Sequence, residues 1–312
     1  MVTREFEWTA DGRTFSVYVE SYSTLSSIKT SCMGRSLIMT SAKRDNFFSD
    51  DSDKALYFNS STGVSTKEEL YAKMRKGYDS PEAIRRVNRA KYSPSTTRVD
   101  KLTRVARDVC GQVVDVPSFI MGKPECMFNM KRKRSKSRVM ELVVDIGTPH
   151  YTSGDEISSV GEAIGTAICA LENAGYRIGL TVTAGVCSGK SSNCPMDRIN
   201  VLVLRVKEPN QELNVAKLLF TLADPAYLRG VLFGWVVKTP GLENSSGLGY
   251  PLDAFFRKRS IVHQVDGFLK TVVPRASSAL TLDSLVDRLR KNDAEAVERF
   301  IIASLMDPGA ES

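Results

Sequence analysis

The rhythm of hydrophobic positions along the 312-residue chain changes near residue 138. Before that point only short stretches hold a period. Phe15, Val17 and Val19 alternate with Ser16 and Tyr18, the two-residue period of a half-buried strand. Residues 45–62 are rich in Asp, Ser and Asn and read as loop. Leu70 and Met74 then recur at helical spacing. Thr66 and Glu69 give a capping-box signature ahead of them, and Gly77 marks the helix end. A small apolar segment over 113–121 carries Pro117, and a turn follows at 122–127.

From Val139 the periods lengthen. Residues 139–146 form a short apolar run that ends in Asp145-Ile146-Gly147-Thr148, the pattern of a buried strand followed by a turn. Ile157, Val160, Ile164, Ile168 and Leu171 place one apolar stripe on a helix over 156–174, and Gly161, Ala163, Gly165, Ala167 and Ala170 are expected to let it lie close on a sheet. Strands are predicted over 176–186 and 198–206. A helix over 213–222 is stopped by Asp224-Pro225. A fourth strand is predicted over 228–239, a strand or helix over 261–273, and one terminal helix over 283–306. Val143, Ile164, Ile168, Leu180, Val203 and Val236 are expected to be buried together. The pattern describes an α/β fold: an open sheet flanked by helices over 139–312, with a smaller basic α+β region over 1–138.

Composition adds limits. The chain is 42% hydrophobic and 25% charged, as globular proteins are. No apolar run reaches the roughly 18 residues of a membrane span, and the first residues lack a signal-peptide pattern. The expectation is a protein of the cytoplasm, or of the host cytoplasm or virion if its origin is viral, without membrane contact. The six cysteines form no CxxC pair and only two histidines are present, His150 and His263, so structural zinc is not expected. Cys187 and Cys194 flank a Gly/Ser loop, and reduced thiols are expected there.

Charge changes the picture more. The formal net charge is +7. Arg85, Arg86 and Arg89 cluster near Tyr78 and Tyr92, whose rings suit stacking on single-stranded bases. Lys131, Arg132, Lys133, Arg134, Lys136 and Arg138 fill six of eight consecutive positions, a density that attracts phosphate backbones. The partners expected are therefore nucleic acid or an acidic protein, and a homo-oligomer is compatible with the sequence.

Catalytic signals are sparse. Gly185 to Ser191 contains Gly-Lys-Ser, but the first glycine of a phosphate loop lies one residue out of place and Pro195 follows where a helix should begin. Cys126 and His150 have no orienting third residue. Asp145, Glu172, Asp224 and Asp253 are too scattered to announce an acidic centre, and caps or surface charges are the plainer reading. No cofactor is called for.

Asp145 ends an apolar strand and is followed by a long helix, a strand, a short strand, a helix and a strand. That order resembles the von Willebrand A-type domain, a Rossmann-like fold that holds a metal with an Asp-x-Ser-x-Ser motif. Here Gly147 and Pro149 stand at the serine positions, and Thr239-Pro240-Gly241 lacks the later acid. The resemblance therefore implies a degenerate domain, with Asp145 a weak metal candidate that caps its turn instead. VESYS (19–23), EEL (68–70) with GY (77–78), VDVP (114–117), GKPECM (122–127), ALENAGYR (170–177) and LADPAYLR (222–229) resemble uncharacterised tailed-phage and prophage proteins. That resemblance implies a viral origin and carries no catalytic residues. The function expected is a phage-type accessory or assembly protein acting as a non-enzymatic binding platform. The alternative is a nucleic-acid-binding protein using the basic N-terminal half, and the third is a metal-dependent enzyme.

Overall fold

The computed structural model describes residues 1–28, 63–64, 67–90, 102–111, 113–132, 139–149, 151–188, 197–232, 235, 250–259, 261 and 265–306. The chain forms two compact units, one of residues 1–91 with 139–312 and one of residues 92–138.

The larger unit is α/β, a mixed sheet flanked by helices. Its strands are β1 (Val2–Ala10), β2 (Arg13–Tyr22), β6 (Val139–Asp145), β7 (Arg177–Ser188), β8 (Asp197–Lys207), β9 (Tyr250–Pro251) and β10 (Ser278–Thr281). The order across the sheet is β1-β2-β8-β7-β6-β10, with β9 added to the far end of β7. β10, β6 and β7 are parallel; β8 is antiparallel to β7; β2 is parallel to β8, and β1 closes a hairpin with β2. The boundary expected at residue 138 thus ends a segment, residues 92–138, inserted ahead of β6. The N-terminal hairpin pairs directly with β8, so residues 1–138 do not fold as one region.

Helices cover both faces. On one, α6 (Leu252–Arg259) and α7 (Val265–Val272) press Phe255, Phe256, Phe268 and Leu269 onto Phe15, Val17, Val143, Val201 and Val203. Trp8 stacks on Phe256 at 5.4 Å between ring centres. On the other lies α4 (Gly154–Asn173), flanked by α1 (Lys67–Lys76), α2 (Pro81–Asn88), α5 (Val215–Leu222), α8 (Leu282–Lys291) and α9 (Ala294–Met306). Ser153 and Glu156 close a full capping box at the start of α4. Val143, Ile164, Ile168, Leu180 and Val203 are all buried, but on two faces: Val143 and Val203 under α6 and α7, Ile164 and Ile168 on α4. Val236 lies outside the described residues, as do Thr66, Thr239 and the Gly/Ser-rich loop.

Two expectations are corrected, and one element has no counterpart among them. Residues 226–232 are a π-helix, not the start of a strand. Tyr227, Leu228, Val231 and Leu232 are all buried, as is Arg229, and a short run buried on every side carries no period to separate strand from helix. The terminal helix breaks in two at Asn292, which is extended, because the Asp293 carboxylate accepts the Ala296 N–H at 2.7 Å and starts α9 anew. β10, four buried residues that complete the sheet edge, was too short to leave a pattern.

The smaller unit holds β3 (Leu102–Asp108), β4 (Val113–Val114), α3 (Val116–Ile120) and β5 (Met127–Arg132), an antiparallel sheet in the order β3-β5-β4. Arg107 pairs with Asp115 at 2.8 Å, and the Ser118 hydroxyl donates to the same carboxylate at 2.8 Å. No helix among the described residues is long and apolar enough to cross a membrane.

Two glycines separate packing from propensity. A Cβ on Gly161 of α4 would stand 2.3 Å from the Leu222 carbonyl oxygen, a backbone atom that cannot turn away. A Cβ on Gly267 of α7 meets nothing within 4 Å. Gly161→Ala is expected to destabilise the protein by about 1–3 kcal/mol through overpacking. Gly267→Ala should leave stability unchanged or raise it by up to roughly 1 kcal/mol. Urea melts of both variants check the contrast.

Candidate functional site

Open α/β sheets take their ligands beyond the carboxyl ends of parallel strands. Asp145, the last residue of β6, stands at that edge. In register beside it are Thr183 of β7 and Thr281 of β10, so the three side chains share the face that α6 covers. The Asp145 Oδ1 accepts the Thr183 hydroxyl at 3.1 Å and the Gly185 N–H at 3.0 Å. Gly185 is required here, since a Cβ would stand 2.2 Å from Leu252 of α6. Asp253, in the first turn of α6, accepts the Thr281 hydroxyl. Arg257 of the same helix pairs with Asp283 of α8 and reaches Asp287 at 3.6 Å.

Burial decides the electrostatics. It pushes the Asp145 carboxyl from 3.8 up to about 8, with the neighbouring Asp253 adding to the rise. Burial also raises Asp253, and it raises Asp283 to about 6 against the pull of Arg257. The Cys187 thiol beneath is pushed well up by burial, then by Asp145 and Asp197. With its value at about 8, the Asp145 carboxyl holds its proton at neutral pH, and its Oδ1 is already engaged by two protein donors. Among the described residues, no three His, Cys, Asp or Glu side chains converge to hold a metal ion.

The four acids singled out in the sequence separate in space. Asp253 alone sits beside Asp145. Glu172 pairs with the buried Lys207 at 2.6 Å. Asp224 pairs with Lys73 at 3.3 Å and accepts the Ala226 N–H at 2.9 Å. Sequence reading missed Thr183, Thr281 and Asp283. The one available signal was the pair Thr181 and Thr183 inside an apolar strand, because a buried hydroxyl needs a partner. Gly185–Ser188 lie within β7; Gly189, Lys190 and Ser191 lie outside the described residues. Cys187 is a free thiol; Cys194 and His150 lie outside the described residues.

The basic residues divide between the units. Arg85, Arg86 and Arg89 are exposed on α2 of the larger unit, and Arg86 is engaged by Glu162 at 2.5 Å. Lys131 and Arg132 end β5 of the smaller unit, opposite Thr103 and Leu102; Lys133, Arg134, Lys136 and Arg138 lie outside the described residues. Residues 92–138 carry 11 Lys and Arg against 4 Asp and Glu, a surplus of 7 that equals the net charge of the whole chain. The rest holds 32 of each sign, because the chain has 43 basic and 36 acidic residues in all.

Fold and site together define a mixed-sheet α/β protein whose parallel-strand edge at β6 is sealed by a buried aspartate. The chain belongs to the family described as a domain of unknown function, DUF7192, whose model matches residues 13–301. No curated protein matches the chain, and no solved structure does.

The raised value of Asp145 has a consequence for stability. The folded state keeps a proton that the unfolded chain releases near pH 4, so the stabilisation is complete below about pH 4 and is lost as pH rises toward 8. Asp145→Asn keeps the acceptor oxygen and cannot ionise. The stability gap between variant and wild type should therefore widen in the variant's favour from pH 4 to pH 8, by on the order of a few kcal/mol. Thermal melts across that range check this; a constant gap would mean that Asp145 is already ionised in the folded protein.

Proposed function

We propose that this protein is a non-enzymatic binding platform: a charge-balanced α/β body carrying one small basic β unit that engages a polyanion. The carrying observation is the confinement of the entire charge surplus to residues 92–138. A surplus spread over a surface serves solubility, whereas one gathered in 47 residues makes a local positive field that draws anions. The sealed edge at Asp145 supports a non-catalytic reading, since the position where this fold class holds reactive ligands is filled by protein. The succession of β6, α4, β7, an antiparallel β8 and α5 supports a degenerate von Willebrand A-like body, and a phage-type accessory or assembly role fits a platform of this kind.

Nucleic acid is the polyanion proposed first. A second reading has its own observation: Phe119, Ile120 and Met121 of the basic unit are 65%, 77% and 62% exposed. Ile120 and Met121 offer bases neither hydrogen bonds nor an aromatic stacking face, so these two favour an acidic protein with an apolar groove, whereas the Phe119 ring suits either partner.

Gel shifts with single-stranded and duplex DNA at several salt concentrations separate the two. Binding should be weak, insensitive to sequence and steeply reduced by salt, because each phosphate neutralised releases a counterion. Changing Lys131, Arg132, Lys133 and Arg134 together to Gln should flatten the slope of log affinity against log salt by about two to four. Changing Arg290 and Lys291 to Gln should do far less, since Arg290 is already held by Glu156 at 2.7 Å. No binding at low salt would transfer the basic unit to the acidic-protein reading.

A further inference from the structure

The reversal between β7 and β8 gives the sheet two carboxyl edges. The one at β6 is sealed. The other belongs to β2 and β8, which run parallel with Tyr22 opposite Leu204, and it opens into a cavity of about 860 Å³. We propose that this cavity binds a phosphorylated small molecule of nucleotide size. The inference is independent of the basic unit.

The lining has two halves. Arg75 of α1 and Lys217 of α5 supply two cations, and Arg205 of β8 a third whose charge Glu141 and Glu208 already take up. Arg75 and Lys217 are exposed and able to reach a ligand. Arg205 is fixed in place: its guanidinium holds Glu141 at 2.6 and 2.9 Å and Glu208 at 2.8 Å, while its buried Nε has no partner. Ser23, immediately after β2, adds a hydroxyl to the lining. Leu25, Met74 and Leu204 add apolar wall, with the Tyr71 side chain.

Phosphate is the group this polar half suits. It has oxygens enough for several cations at once, and its charge-assisted hydrogen bonds are the strong kind. Phosphate alone would leave most of the space empty, and an apolar wall has nothing to offer it. The volume falls within the roughly 300–1,000 Å³ typical of small-molecule sites, where apolar walls hold the body and a few polar groups fix its orientation. A phosphate joined to a flat or apolar body meets both halves.

Isothermal calorimetry on the full chain with AMP, ATP, adenosine and inorganic phosphate tests the assignment. AMP or ATP should bind at submillimolar concentration, more tightly than adenosine or phosphate. The Arg75→Gln/Lys217→Gln double variant should lose about tenfold or more in affinity, with an unchanged thermal melt because both side chains are exposed. The Lys131/Arg132/Lys133/Arg134 variant should bind as wild type does. No heat with AMP or ATP at millimolar concentration would overturn the proposal, as would equal binding of adenosine, binding of inorganic phosphate as tight as that of AMP, or full affinity in the double variant. Loss of binding in the Lys131 to Arg134 variant instead would place the phosphate on the basic unit and overturn it too.

Discussion

The antiparallel pairing of β7 with β8, running from Leu180 opposite Lys207 to Ser188 opposite Arg198, is the constraint on which the rest of the larger unit depends. Strands β6, β7 and β10 point one way and β2 and β8 the other. Parallel strands leave loops and helix starts at their carboxyl ends, so the reversal creates two such edges at opposite ends of one sheet. An ion-pair network fastens the join. Arg205 on β8 holds Glu141 on β6 and the Thr181 hydroxyl on β7, and Lys207 holds Glu172 of α4 and the Ile178 carbonyl. Removing either cation would leave a carboxylate without its counter-charge in a mostly buried place, which costs more than the pair contributes.

The two edges then diverge for a reason visible in their neighbours. At β6, Gly185 has no side chain, so Leu252 and with it α6 come down onto the strand end. Asp253 arrives on the same helix, and the aspartates share a space that water does not reach. Neutralisation by a proton is the cheaper solution there, because an isolated buried charge costs far more than a shifted pKa. At β2 and β8, α1 and α5 stand around the edge instead of over it, and the charged side chains keep their contact with solvent. One sheet thus has a protonated plug at one end and a cation-lined cavity at the other.

Charge is partitioned as sharply as packing. The larger unit balances its acids and bases and uses many of them in pairs: Lys73 with Asp224, Arg86 with Glu162, Arg257 with Asp283, Arg290 with Glu156. The smaller unit spends Arg107 on Asp115 and has few further acids with which to pair its remaining bases. A fold that neutralises itself almost everywhere and leaves one 47-residue insertion unbalanced has concentrated its long-range electrostatics there.

The sequence alone determined the fold class and the long elements. The five-residue stripe from Ile157 to Leu171, the apolar run into Asp145 and the alternation from Phe15 to Val19 are local periods, and a local period survives whatever the chain packs against. It also revealed the basic run at 131–138. Tertiary structure decided what a local pattern cannot encode. Nothing in Arg13–Tyr22 says that it pairs with Asp197–Lys207 across more than 170 residues, so the N-terminal hairpin was read as part of a separate region. Residues 226–232 are buried on all sides, Arg229 included, and took their helical form from surroundings that bury every face. Asp145 was legible as a residue at a strand end. Its raised pKa comes from burial under α6 and then from the charge of Asp253, which lie more than 100 residues downstream, because the cost of a charge is set by what surrounds it in space.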